Sequence, residues 1–213
     1  MPATANRERC HDARVGGHPS GRRLSYDHPG ATRPAETTWT SGPPGFRRHK
    51  ATAPLGRDDD VFEEASEALL RWGVKTRSGF AVHPDQGSDL RVSEGSDYHL
   101  AARVGLASVR EPVRVVAVVD TPTRRGFAHG TLAGHPVSGE EAFVVTLTPD
   151  GGVRLVLRSL TRQAPGAWGL AFPALLVAQH WYRARYRRAL LSRPVADPVV
   201  DGPRARGRGT MPG

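Results

Sequence analysis

From Phe80 to Leu157 the apolar residues of this chain recur with a period of two, and helical stripes lie only before and after that stretch. Tyr98, Leu100, Ala102 and Val104 alternate with polar or small residues, and 113–119 is a β-branched run long enough for a buried strand. Residues 126–132 and 142–147 flank a loop rich in Gly, Pro and Ser. Asp150-Gly151 then joins 144–147 to 153–157 as a hairpin, because Asp-Gly suits the positive φ of a tight turn. With a short strand at 80–82 and a first one at 46–53, this predicts an antiparallel meander of about six or seven strands.

Two helices bracket the meander. Asp58-Asp59-Asp60 places acidic residues where unpaired N–H groups and the positive dipole end favour them. Val61, Phe62, Ala65, Ala68, Leu69 and Trp72 follow at spacings of three and four, which predicts one helix to about Arg77, stopped by Gly79. The second helix is expected over 170–192, with Leu175, Ala178, Tyr182, Tyr186, Ala189 and Leu190 on one face and Pro194 ending it. An antiparallel sheet has one face to bury, and a long C-terminal helix covers it. The expected fold is therefore α+β: a curved antiparallel sheet packed on a long C-terminal helix, helix-grip-like, with one N-terminal helix after the first strand. Such a sheet encloses a cavity against its helix.

Composition limits the organisation and the chemistry. Mean hydropathy is −0.44, low for a chain of 213 residues packed throughout. The division expected is a disordered tail at 1–23, a single domain at 24–193 with an extended arm at 24–45, and a disordered basic tail at 194–213. The single cysteine, Cys10, excludes a disulfide framework, a thiolate zinc site and a CxxC pair. No stretch of about 18 apolar residues suggests a membrane span, and residues 1–25 hold no apolar leader core. A cytoplasmic protein is expected. The net charge of +9 is uneven: residues 1–50 hold nine Lys/Arg against four Asp/Glu, 51–153 ten against fifteen, and 154–213 eleven against two. Only Lys50 and Lys75 are lysine, and that arginine skew with abundant Ala, Gly and Pro points to the codon usage of a GC-rich, bacterial genome.

The run 126–143, Gly-Phe-Ala-His-Gly-Thr-Leu-Ala-Gly-His-Pro-Val-Ser-Gly-Glu-Glu-Ala-Phe, is distinctive. It resembles the hallmark of the DUF1990 (UPF0548) family, of unknown function, in which His129 stands where a Tyr is usual. Tyr26, Gly30, Ala31 and Thr32 resemble the family's Y-x-x-x-G-A-T arm, Leu69 to Gly73 its helix end, and Arg158-Ser159-Leu160-Thr161-Arg162 its R-S-x-S-R strand end. The resemblance covers about 24–192. It implies no established chemistry. A kinship to the Bet v 1/START-like superfamily would suit the order of elements.

The hairpin supplies the candidate site. His129, His135, Glu140 and Glu141 are the compact set of acid/base or metal-ligating groups, and a two-His-one-carboxylate site is chemically feasible. Against it, 134–136 and 138–140 have turn chemistry, so that His135 and Ser138 would satisfy loop backbone while a glutamate pairs with Arg158. Adjacent strand residues point to opposite faces, so only one of Glu140 and Glu141 faces the interior. No G-x-S-x-G elbow, dinucleotide fingerprint or phosphate loop is present. No metal and no cofactor is assigned. The ligand-contacting set expected is His129, Thr131, His135, Ser138, Glu140, Glu141, Arg158, Trp72, Tyr182 and Tyr186. Three functions compete. The first is binding of a small apolar or amphipathic ligand between sheet and helix. The second is docking on anionic lipid or nucleic acid through Arg183, Arg185, Arg187 and Arg188, without base recognition. The third is a hydrolase or metal-dependent enzyme built on His129–Glu141.

Overall fold

The computed structural model describes residues 21–191, apart from 88, 105–106, 165 and 167. The expected tails therefore lie outside the described residues except for 21–23, as does Pro194. The elements run β1 (Arg47–Arg57), α1 (Asp59–Leu70), α2 (Gly73–Thr76), β2 (Phe80–Pro84), β3 (Asp97–Val104), β4 (Ala107–Thr121), β5 (Arg124–Thr131), β6 (Val137–Leu147), β7 (Gly152–Gln163) and α3 (Trp168–Ala189). All seven strands form one curved antiparallel sheet in the order β1-β7-β6-β5-β4-β3-β2. β2 to β7 are a simple meander. β1 returns to pair with β7, so α1 and α2 carry the chain across one face from edge to edge.

That face is the core. Phe127, Phe143, Val145, Leu155 and Leu157 come from successive sheet positions of one parity, and Phe62, Leu69 and Leu70 of α1 pack on them. Phe127 is directly opposite Phe143, which in turn is opposite Leu157, as cross-strand pairing on one face requires. α3 lies against α2, β1, β6 and β7 and sets Tyr186, Ala189 and Leu190 into the same cluster. The expected face partners Leu175 and Ala178 have side chains outside the described ones.

The single N-terminal helix expected to reach Arg77 is instead two. The chain breaks at Trp72, which takes the left-handed conformation at φ 62°. A Cβ on the next residue, Gly73, would sit 2.5 Å from the Ala68 carbonyl oxygen, so only glycine permits the bend. The bend turns Trp72 inward, where it is fully buried against Tyr98, Phe127 and His129. It also starts α2, whose one turn delivers Lys75 to the interior.

Residues 24–39 cross the opposite face of the sheet without regular structure, pinned at their start by a bridge from Leu24 to Leu132. The sheet is thus covered on both sides, by helices inside and by the arm outside.

Candidate functional site

The two glutamates of β6 do opposite things, as strand alternation demands. Glu141 faces the helices and Glu140 faces the arm. Glu140 accepts hydrogen bonds from the Tyr26 hydroxyl at 2.7 Å, from Gly30 N at 2.7 Å, from Thr32 N at 2.9 Å and from the Thr32 hydroxyl. Burial and the nearby carboxylate push the Tyr26 phenol far above its ordinary pKa, so it remains a donor. Gly30 has φ 83°, which lets the backbone turn its N–H inward. The Y-x-x-x-G-A-T arm motif is therefore a set of donors for one buried carboxylate. Gly130 completes the fit: a Cβ there would come within 2.2 Å of the Tyr26 hydroxyl.

Arg158 serves the same arm. Its guanidinium donates to the carbonyls of Thr32, Arg33, Glu36 and Thr37. It pairs with neither glutamate, contrary to the sequence expectation, because Glu140 already has four neutral donors and Glu141 lies on the far face. Desolvation depresses the guanidinium pKa to about 10, still charged at neutral pH. Thr131 and Ser138 belong here too. The Ser138 hydroxyl donates to Ser25 O at 2.7 Å, and Thr131 Oγ1 accepts from Gly139 N at 2.8 Å beside the Ser25 hydroxyl at 2.6 Å. Thr131, Ser138, Glu140 and Arg158, all in the expected ligand-contacting set, make contacts that fasten the arm, and Thr131 and Glu140 also line a small inner cavity.

The inward set is different. Lys75 Nζ donates to Glu141 Oε2 at 2.7 Å and to the Tyr186 hydroxyl at 2.9 Å. It lies 4.7–5.4 Å from the ring centroids of Phe80, Phe143 and Tyr186. An ammonium against three aromatic faces and one carboxylate is well compensated for its burial. Lys75 was absent from the sequence-derived site; the signal that could have found it was its rarity, as one of only two lysines in an arginine-rich chain. His129, opposite Glu141 across β5 and β6, holds Nε2 3.7 Å from Glu141 Oε2, and neither ring nitrogen has a hydrogen-bond partner. Burial, with Lys75 next, drives its pKa well down, so the ring is neutral. The His135 ring folds onto its own loop, with Nδ1 3.0 Å from Val137 N, as turn chemistry suggested. Its Nε2 is 3.8 Å from Glu111 Oε2, and burial lowers its pKa to about 3.

Glu111 of β4 is the second residue that sequence reasoning missed. It sits mid-strand in the longest strand, between Arg110 and Pro112, where a carboxylate ordinarily signals a solvated face. Its register opposite Leu100 places it inside. Burial raises its pKa to about 7. A raised carboxyl pKa means the folded state binds a proton that the unfolded chain releases near 4.5, so this group costs stability as pH rises from about 4.5 through 7. Glu111→Gln is accordingly expected to match the parent near pH 4 and to exceed it at pH 8 by roughly 1–3 kcal/mol in urea unfolding. Equal stability at pH 8 would show that the carboxyl is not penalised. His135 has the opposite sign: its stability contribution is lost as pH falls below about 6.5 toward 3.

These groups line a cavity of about 90 Å3 between β3, β4 and α3, walled by Phe80, Ala102, Val109, Pro136, Tyr182 and Tyr186 with Lys75, Glu111 and Glu141. A second cavity of about 40 Å3 shares Lys75, Glu111, His135 and Glu141 and reaches His129 and Thr131. Trp72 lies below it in the packed core. Among the described residues no three His, Cys, Asp or Glu side chains converge to hold a metal ion. The four arginines of α3 split: Arg183 turns to the sheet and donates to Ser159 Oγ at 3.0 Å, Arg185 stacks on Trp181, and Arg187 and Arg188 are exposed.

The result is an α+β domain with a charged pocket on the inner side of its sheet and an outer arm locked by a buried carboxylate. Residues 25–189 match the family model "Domain of unknown function (DUF1990)", and the chain belongs to that family. It is 38% identical over 170 residues to a UPF0548 protein of Deinococcus radiodurans, covering 74% of this chain and 84% of the relative. It is 26% identical over 153 residues to a UPF0548 protein of Arabidopsis thaliana, covering 69% and 73%. Relatives thus occur in a bacterium and in a plant. Among solved structures, hypothetical protein jhp0584 of Helicobacter pylori aligns at TM-score 0.52 and 10% identity, over 68% of this chain and 85% of that one. The ZhuI aromatase/cyclase of Streptomyces sp. R1128 aligns at TM-score 0.51 and 17% identity, over 68% and 92%. At these identities the likeness is one of fold alone.

Proposed function

We propose that this domain binds a small amphipathic ligand between the inner sheet face and α3, in helix-grip manner. The observation that carries the reading is the pocket itself: aromatic and aliphatic walls at its mouth and five ionisable side chains, Lys75, Glu111, Glu141, His129 and His135, at its inner end. Burying so many polar groups costs stability, and structural roles explain the Lys75–Glu141–Tyr186 cluster and the His135 turn but leave Glu111 and His129. The fold shared with an aromatase/cyclase supports a ligand-holding scaffold without naming its ligand. Within this proposal residues 24–193 act as one domain and the protein is cytoplasmic.

Native mass spectrometry of the freshly purified protein tests the reading. A small-molecule mass excess is expected, and it should vanish in Val109→Trp, which fills the mouth. A parent spectrum at the bare polypeptide mass from several expression hosts would count against it.

A second reading rests on Arg77, Arg185 and Arg188, which with Trp181 line a shallow groove of about 280 Å3 beside α3. Three cations and an aromatic ring suit an anionic surface. Binding to anionic vesicles that weakens steeply with salt, and is lost on neutralising Arg185 and Arg188, would support it.

A further inference from the structure

The ionisable groups of the pocket do not balance. Lys75 neutralises Glu141 through a 2.7 Å contact and is further held by Tyr186. Glu111 has no such contact: His135 Nε2, 3.8 Å away, is uncharged at neutral pH, and the Lys75 ammonium, bound to Glu141 and Tyr186, acts on Glu111 only from beyond ion-pair distance. No hydrogen bond reaches the Glu111 carboxyl among the described residues, although it lines both cavities. A second carboxylate beside the single Lys75–Glu141 pair leaves a net negative potential at the head of the site when it is ionised. The second observation is independent of the first. The His129 side chain is only 5% exposed and lines the inner cavity, yet both its ring nitrogens lack partners. A neutral imidazole always offers one unprotonated nitrogen as an acceptor.

From this complementarity, and resting on the ligand-binding reading above, we infer that the pocket takes a small amine, its ammonium at Glu111 and His129 and its ring or apolar body between Phe80, Tyr182 and Pro136. An ammonium needs several acceptors and a compensating charge, and both are present and unused. A carboxylate head would face two glutamates, with only an already engaged lysine in its favour. A neutral alcohol would leave the Glu111 charge uncompensated. The tyrosine and phenylalanine faces at the mouth add attraction for a cation entering past them.

Three isosteric probes decide it: benzylamine, benzyl alcohol and benzoate, titrated at pH 8 into the full-length protein and followed by NMR shifts and calorimetry. Benzylamine is expected to bind at least tenfold more tightly than benzyl alcohol, with benzoate weakest. Glu111→Gln should bring benzylamine down to the benzyl alcohol level and leave benzyl alcohol unchanged. His129→Phe should weaken benzylamine severalfold. Tighter binding of benzoate, or benzylamine affinity indifferent to Glu111→Gln, would overturn the amine assignment and leave the pocket standing. If none of the three moves a pocket resonance at millimolar concentration, the pocket reading falls and the amine assignment with it.

Discussion

Lys75→Met is expected to cost about 3–5 kcal/mol of unfolding free energy at pH 7, which makes it one of the most damaging single changes in the chain. The substitution retains the stem that packs among Phe80, Phe143 and Tyr186 and removes the charge with its hydrogen bonds to Glu141 and Tyr186. What remains is Glu141, mostly buried, with its 2.7 Å partner gone and a neutral imidazole 3.7 Å away. The penalty is chiefly that of the orphaned carboxylate rather than of the lost contact. A second variant separates these. The double variant Lys75→Met with Glu141→Gln should recover most of the loss, since it buries no net charge. A single variant within 1 kcal/mol of the parent in urea would show that water reaches Glu141 freely, and that the pair is no part of the folding energetics.

Glu140→Ala carries the other large expectation. Four hydrogen bonds end on this carboxylate, and they come from three separate arm residues. Hydrogen bonds to a charged acceptor contribute about 1.5–3 kcal/mol each when measured singly. They are not additive here, because the arm detaches as a unit once it is freed. A loss of about 2–5 kcal/mol is expected, with Tyr26 and Trp39, both buried in the parent, becoming open to chymotrypsin. Arg158→Met should produce the same cleavage pattern, since Arg158 holds the carbonyl side of the same segment. Gln at 140 is no rescue, because its amide N–H groups would meet donors. Stability lost without new cleavage at Tyr26 or Trp39 would mean that the arm is anchored elsewhere, for instance by the Arg124 contact to Pro34 O.

Both expectations bear on the division of labour across the sheet. β6 carries Glu140 and Glu141 side by side, one locking the outer arm and the other closing the inner pocket. The His129 ring, next to Glu141 on that inner face, packs among Trp72, Phe127 and Phe143.

Much of this was legible in the order of residues. Period-two patterning from Phe80 onward determined the antiparallel meander, and Asp150-Gly151 determined its last hairpin, because both signals are local. Alternation alone settled that Glu140 and Glu141 face opposite ways. The arm motif and the hairpin motif marked the family. What alternation does not say is which face is inside, and here both faces are covered. Glu140, on the arm side, is drier than Glu141 on the helix side, so burial could not be assigned by polarity. The roles of Arg158, Thr131 and Ser138 depend on an arm more than 100 residues away in the chain. The break at Trp72, which turns one expected helix into two and brings Lys75 inside, follows from a tertiary demand for that indole in the core, strong enough to outweigh a left-handed φ. Glu111 is the clearest case. In sequence it is a charged residue between Arg110 and Pro112. Only the register with β3 turns it inward beside Lys75, His135 and Glu141, and the cost of its charge is set by groups that meet it solely in the folded chain.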